Sequence, residues 1–382
     1  MSVRKHHWTT RKGEPREAWL VDYRDAQGNR CAKFFRKKKE ADTYHASVKV
    51  DVAAGVHVAP SKSITVKQAA EDWIKFVESE KRERATLSNY RQSVARHIVP
   101  RLGNVKLSAL TTPRIQKFRD DLLSDLSRNA ARDVLGRLKA ILKDARRRGN
   151  VVHNAAADVV IQMSSRHRPR LAVGTDIPSR EDIRRIIEAA PEGRARTLIM
   201  TAALSGLRAS ELRGLRWRDA DLQHGMLRVR QRADRYNAIG SPKSRAGERD
   251  VPIPPMVVNT LKVWKLACPN KGDDGLVFGT RKGTPDRHTN ILDRIWLPVQ
   301  IKAGVVGASG KPKYPGLHSL RHFYASWCIN RKTDGGMELP AKTVQARLGH
   351  ASIMITLDRY GHLFPSDTGD ELAAAERALF AT

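Results

Sequence analysis

The apolar side chains of this 382-residue chain change their repeat twice, and each change marks a different kind of element. In Ala18–Tyr23, Trp19, Val21 and Tyr23 alternate with other side chains, the period of a strand with one buried face. Asp25-Ala26-Gln27-Gly28-Asn29 is turn chemistry, Cys31–Phe35 suits a returning strand, and a helix is expected from Lys38 to Val52, stopped near Gly55. Residues 1–58 therefore read as a small β-β-β-α unit. Between residues 63 and 163 the spacing becomes helical. Val66, Ala69, Ala70, Trp73, Phe76 and Val77 form one stripe. Thr86–Ile98 is a second helix, ended by Pro100 and Gly103. Thr112-Pro113 opens a third, with Ile115, Phe118, Leu122 and Leu123 inward. A fourth begins near Asn129, carries Val134, Leu138, Ile141 and Leu142, and ends at Arg146-Arg147-Arg148-Gly149. These stripes are core and imply no cofactor.

Residues 164–177 are basic, contain proline and lack any period, so they read as a linker. Beyond residue 178 the pattern is mixed. Leu198–Leu204 is a buried helix stopped at Gly206. Met226–Arg230 and Arg249–Ile253 are short strands, with Leu227 and Val229 expected to face Val251 and Ile253. The expected fold is multidomain and mainly α. A β-β-β-α unit comes first, then a helical domain over 63–163, then a mostly α domain over 178–382 with a small antiparallel sheet.

Charge narrows the partner. The chain carries 70 Lys and Arg against 40 Asp and Glu, a formal net charge of +30. Such an excess opposes compaction unless a polyanion relieves it. The excess is +6 over residues 1–60, +13 over 61–170 and +11 over 171–382, so it is no mere basic tail. Nucleic acid is the first candidate and an anionic membrane the second. Lys37, Lys38 and Lys39 open a helix, where cations oppose the dipole and a bound phosphate would offset the cost. They are candidate DNA contacts. Arg146, Arg147 and Arg148 end a helix, where the dipole favours cations anyway, so dipole compensation and DNA contact both remain open. The three cysteines, Cys31, Cys268 and Cys328, are widely spaced and form no C-x-x-C, which supports neither a zinc site nor a disulfide framework. MSVRKHHWTT lacks an apolar signal region, and no apolar run approaches ~20 residues, so a cytoplasmic protein without a membrane partner is expected.

Six residues carry the chemistry: Arg208, Lys243, His318, Arg321, His350 and Tyr360. They lie in LSGLRASELRGLRW, HSLRHFYASW and LGHASIMITLDRYGH, with Lys243 in the loop GSPKSRAGERDVPI. A phosphodiester anion resists attack, and an enzyme without a metal must cover its charge with fixed donors. Five of the six can donate to phosphate oxygen, and Tyr360 is a phenol able to attack phosphorus. Arg208 and Glu211 stand three apart on one helix face, so the carboxylate can hold the arginine as a phosphate clamp. His318 and Arg321 repeat that spacing, pairing a proton carrier with a permanent bidentate cation. His322 stands beside them at the edge of the buried stripe. Gly349 ends a helix before His350, and Ser352 is a candidate N-cap for the helix that displays Tyr360. Lys243 is placed at a hairpin tip.

Together these strings resemble the tyrosine recombinase family of the phage-integrase type, with all six signature positions filled in order over about residues 178–364. The resemblance implies an arm-type DNA-binding domain over 1–58, a core-site DNA-binding domain over 63–163, and a catalytic domain with a tail helix over 178–382. It implies that Tyr360 forms a 3′-phosphotyrosyl link, with His318 as base, Lys243 as acid, Arg208, Arg321 and His350 on the phosphate, and Glu211 orienting Arg208. Neither ATP, a metal nor another cofactor is implied. The implied partners are double-stranded DNA attachment sites, a homotetramer assembled on DNA, an excisionase and a host DNA-bending protein. A type IB topoisomerase-like enzyme and a catalytically silent DNA-binding relative are the alternatives. One departure stands out: RKTDGGMELPAK, between Trp327 and Leu348, is longer than the usual connection. In the tail, Leu372, Ala375 and Leu379 fall at helical spacing with Phe380 beside them, which suits packing on its own domain or on a neighbouring protomer.

Overall fold

The structure is a computed structural model that describes residues 2–11, 13–24, 28, 30–53, 63–162, 170–365 and 369–380. The expected turn at 25–29 (Gly28 apart), the helix stop near Gly55 and the first part of the 164–177 linker lie outside these residues. The chain divides into two compact units, residues 1–166 and 167–382.

In the first unit, β1 (Ser2–Thr9), β2 (Pro15–Arg24) and β3 (Arg30–Phe35) form an antiparallel sheet with β2 in the middle. Helix α1 (Lys38–Ala53) follows. Val21 and Tyr23 pack against Ala41 and Val48 of α1, the burial that their alternation demands. On the sheet, His6, Trp8 and Phe34 cluster with ring centroids 5.5 to 6.0 Å apart, and Trp8 and Phe34 stay exposed.

A separate apolar core gathers the helices between residues 63 and 162. Helix α2 (Val66–Ser79) starts on a capping box: the Thr65 N–H donates to Gln68 Oε1 (2.8 Å), and the Gln68 N–H donates to Thr65 Oγ1 (3.3 Å). Helix α3 (Arg84–Ser93) does not stop at Pro100. It runs through a π turn over Val94–Ile98 into α4 (Val99–Leu102). Proline has no N–H to give, and the widened turn ahead of it lets the Val99 N–H bond the Val94 carbonyl instead. Gly103 closes the helix. Helices α5 (Thr112–Asp125) and α6 (Arg128–Arg147) contribute Ile115, Phe118, Leu122, Val134, Leu138, Ile141 and Leu142 to the core, while Phe76 and Leu123 lie at its edge.

The second unit begins with α7 (Arg180–Ala189), α8 (Arg194–Ser205) and the short α9 (Ala209–Gly214). Strands β4 (Ala220–Asp221) and β5 (Met226–Val229) follow, then a hairpin of β6 (Arg232–Ala233) and β7 (Ile239–Gly240), then β8 (Arg249–Pro252). The three-stranded sheet runs β4-β5-β8. Leu227 pairs with Val251 as expected, but Val229 pairs with Arg249 rather than Ile253. Antiparallel pairing requires this, because two residues forward on β5 are two residues back on β8. The remaining helices are α10 (Pro255–Ala267), α11 (His288–Ile291), α12 (Leu297–Lys302), α13 (His318–Ile329), α14 (Ala341–Leu348), α15 (Ile353–Tyr360) and α16 (Gly369–Phe380). A second π turn, Leu292–Trp296, precedes Pro298 in α12 and repeats the device at Pro100. Helices α8 and α13 are the central pair, buried over most of their surfaces. The long connection after α13 folds back on that helix. The Met337 N–H donates to the Trp327 carbonyl (2.9 Å), the Leu339 N–H to the Cys328 carbonyl (2.8 Å), and Trp327 Nε1 to the Gly335 carbonyl (3.1 Å). Among the described residues no helix is long and apolar enough to cross a membrane.

Candidate active site

The C-terminus of α14 organises the site. The last carbonyls of a helix have no partner within it, and they form the negative end of its dipole. Three arginines from three distant segments take three successive carbonyls there. Arg249 Nε donates to the Arg347 carbonyl (2.7 Å), Arg321 Nη2 to the Leu348 carbonyl (2.6 Å), and Arg208 Nη2 to the Gly349 carbonyl (3.0 Å). Gly349 makes this possible. It ends α14 at φ +63°, and an added Cβ would lie 2.7 Å from the Ala246 carbonyl oxygen.

Arg208 is not inside a helix, as its spacing from Glu211 suggested, but at the N-cap of α9. Its backbone N–H donates to Glu211 Oε2 (2.9 Å) and its Nη1 to Glu211 Oε1 (2.7 Å). Glu211 is 3 % exposed, so the pair is not a solvated surface contact. Arg249 grips the same carboxylate, with Nη1 to Oε1 at 3.2 Å and Nη2 to Oε2 at 2.9 Å. Arg321, 2 % exposed, completes the group with Nη1 on the Gly206 carbonyl (2.6 Å). Gly206 ends α8 at φ +63° with Tyr324 packed where a Cβ would stand. Three guanidiniums thus face one carboxylate. Burial first, then Arg208 and Arg249, lower the pKa of Arg321 to about 9, with Glu211 opposing. Such an uncompensated cluster of buried cations is an anion site in waiting.

The aromatic groups lie against these cations. Tyr360, the last residue of α15, is 1 % exposed. The residue expected to be displayed is therefore packed inward. Its ring lies parallel to that of His350, with centroids 6.5 Å apart and 7° between the planes. Its hydroxyl is bonded to Nδ1 of His322 at 2.7 Å, and not to His318. His318 opens α13 at an exposed position, its ring edge-on to that of His322 at 4.6 Å. His350 Nδ1 meets Thr356 Oγ1 at 2.9 Å, and its backbone N–H and carbonyl are both bonded to Gln345. Burial raises the Tyr360 phenol to about 12, although Arg321, Arg359 and Arg208 pull it down. The histidines go the other way. Crowding by surrounding protein, then Arg321, Arg359 and Arg208, lowers His318 to about 4. Burial, His318, Arg359 and Arg321 lower His322 to about 3. Burial and the four arginines lower His350 to about 3. All three shifts favour the neutral imidazole. Among the described residues no cluster of His, Cys, Asp and Glu side chains is placed to hold a metal ion.

The structure thus gathers Arg208, Glu211, His318, Arg321, His350 and Tyr360, and adds His322 and Arg249. Lys243 stands apart. It is exposed on the loop after β7 rather than at a hairpin tip, and makes no hydrogen bond or ion pair among the described residues. Its loop nonetheless reaches the site through the Ala246 carbonyl beside Gly349. The six candidate basic residues of the first unit, Lys37, Lys38, Lys39, Arg146, Arg147 and Arg148, are all exposed. Lys38 lies 5.5 Å from the centroid of the Trp19 ring, whereas Arg147 and Arg148 are bonded to buried Asp144 at 2.8 and 2.7 Å. Lys37, Lys39 and Arg146 form no such tie among the described residues. Arg249 was legible in principle. Alternation places it on the same strand face as Val251 and Ile253, which is an unusual position for a charge.

Comparison with known proteins adds an independent line. The sequence model of the phage integrase family matches residues 179–366, and that of the phage integrase central domain matches residues 66–161. A tyrosine recombinase XerC-like protein of Caldanaerobacter subterraneus subsp. tengcongensis is 26 % identical over 369 residues, covering 90 % of each chain. The Tn1549 transposon integrase, solved with a circular intermediate DNA, is similar in fold with a TM-score of 0.65 at 18 % identity, over 83 % of this chain and all of that one. A lambda integrase, solved as a tetramer bound to a Holliday junction, is similar with a TM-score of 0.57 at 18 % identity, over 91 % and 95 % of the two chains.

Proposed function

The chain belongs to the phage integrase family of tyrosine recombinases, whose chemistry is the cutting and rejoining of DNA, and we propose that it is a site-specific recombinase that integrates and excises a mobile element through a 3′-phosphotyrosyl intermediate. The observation that carries this reading is the setting of Tyr360: a phenol packed among Arg321, His350 and His322 of its own chain, beside a cluster of cations with too few anions to balance them.

In this reading the scissile phosphate supplies the missing anion. Arg208 and Arg321 hold its non-bridging oxygens, and the fixed carbonyl partners of both guanidiniums keep their remaining N–H groups aimed before DNA arrives. His350 adds a further donor, and His318 at the exposed mouth is a proton carrier beside them. Tyr360 attacks phosphorus and the 5′-oxygen leaves, taking a proton from Lys243 on its exposed loop. The phosphotyrosyl bond conserves the energy of the phosphodiester, so a 5′-hydroxyl of a partner duplex can reverse the step without ATP. The basic first unit, with Lys37, Lys38 and Lys39 on one element and Arg146, Arg147 and Arg148 on another, contacts the flanking DNA. The working assembly is a tetramer on paired attachment sites in the cytoplasm, with an excisionase and a host DNA-bending protein setting direction.

Nicked suicide substrates test the reading. Tyr360→Phe should bind core DNA as the parent does and form no covalent adduct. An adduct trapped by that variant would remove Tyr360 from the mechanism. A two-duplex assay then separates recombination from relaxation alone, the topoisomerase outcome, and from binding alone, the outcome for a silent relative.

A further inference from the structure

The hydrogen bond from the nucleophile goes to His322, one helical turn beyond the histidine that the sequence pattern singles out. Both histidines lie on α13, four residues apart and therefore on one face. They are not equivalent. His318 is exposed at the start of the helix, while His322 is 8 % exposed and meets Tyr360 at 2.7 Å and 63° between ring planes. A general base bonds the group that it deprotonates at a heavy-atom distance of about 2.6–3.2 Å, and among the described residues His322 Nδ1 is the group found at that distance from the Tyr360 hydroxyl.

We propose that His322 is a catalytic residue: its Nδ1 takes the phenol proton as Tyr360 attacks the scissile phosphate, and returns it when the phosphotyrosyl bond is broken on rejoining. This rests on the recombinase reading above and names the proton acceptor within it. The step balances. The step uses the tautomer with its hydrogen on Nε2, in which Nδ1 offers a lone pair to the phenol. The Tyr360 O–H bond breaks toward that lone pair while the Tyr360 oxygen bonds to phosphorus, and the 5′-oxygen leaves with a proton from the acid. In the reverse step the imidazolium protonates the departing phenolate.

The surroundings of His322 hold its basicity down. Burial comes first, then His318 from its own helix, Arg359 from α15 and Arg321 one residue before it, and all of these disfavour an imidazolium there. A phosphate bound beside Arg321 and Arg359 offsets the charge part of this shift, so the acceptor gains basicity when its substrate is in place.

The experiment is single-turnover cleavage of a nicked suicide substrate by the full-length protein. His322→Asn keeps an acceptor oxygen near the position of Nδ1 but cannot take a proton. It should bind core DNA normally and cleave about a hundredfold or more slowly, the lower range for general base catalysis. Replacing Tyr360 with 3,5-difluorotyrosine, a more acidic phenol that needs less help, should restore most of the loss. Cleavage by His322→Asn at near the parental rate would reduce His322 to a positioning role and overturn the proposal. So would a loss that the fluorinated phenol does not repair, or a repair specific to His318→Asn. If His322→Asn does not fold, His322→Gln carries the same comparison. Failure of the recombinase reading itself shows elsewhere, as an adduct formed by Tyr360→Phe.

Discussion

Glu211 sits between two guanidiniums, those of Arg208 and Arg249, and is almost wholly buried. Burial alone would raise its pKa, but Arg249 and then Arg208 outweigh that and hold the carboxyl below the usual range. The two arginines differ in exposure: 35 % for the Arg208 side chain and 6 % for that of Arg249. Arg208 has one face open for a ligand, whereas Arg249 is committed to Glu211 and to the Arg347 and Gly247 carbonyls. Arg249→Met should therefore destabilise the fold by about 3–5 kcal/mol, the cost of stranding one partner of a buried pair, and Arg208→Met by clearly less. Urea unfolding of the two variants checks the order, and equal losses would argue against this division of labour. The i,i+3 relation of Arg208 and Glu211 was legible in the sequence. The inward position of Arg249 was legible from strand alternation, but its pairing with Glu211 was not, because the two lie 38 residues apart along the chain.

At the scale of elements, helix ends do more than helix faces. Gly206 and Gly349 both stop a helix in the left-handed region, and both lend their carbonyls to an arginine of the candidate site. Both stops are readable as glycines after an apolar run. What they present is not, because it depends on α13 and the start of α9 arriving beside them. Gly349→Ala should cost at least about 1–2 kcal/mol for a side chain held left-handed. Its Cβ would also press on Ala246, displacing the carbonyls that hold Arg208 and Arg321. Cleavage should fall more than core-site binding, measured as adduct yield against gel shift, and parallel losses would mean general unfolding instead. The π turns before Pro100 and Pro298 show the limit of reading helix ends from proline: a wider turn absorbs the missing N–H and the helix continues.

At the scale of the molecule, α16 leaves Leu372 69 %, Leu379 78 % and Phe380 75 % exposed. That apolar stripe is uncovered in a single chain, which favours the second of the two packings open to it, against a neighbouring protomer. Removing everything after Pro365 should leave single-site binding nearly unchanged and weaken assembly on paired sites tenfold or more, about 1.4 kcal/mol. Sedimentation of the protein–DNA complexes separates the two, and equal weakening of both would count against docking in trans. The net charge of +30 acts at the same scale. It makes all of these affinities steep functions of salt, so each comparison belongs at one ionic strength.

Sequence alone was enough for the residue types of the site, the alternation of the first sheet, the four helical stripes and the glycines that end α8 and α14. These are local properties, set by side-chain period and backbone freedom within a few residues. Only the tertiary structure decided that Tyr360 is buried, that it meets His322 rather than His318, and that three arginines share the end of α14. Helical spacing puts His318 and His322 on one face, but which of them touches the phenol depends on where α15 packs along α13. That position follows from the packing of segments far apart in the chain, and no local repeat encodes it.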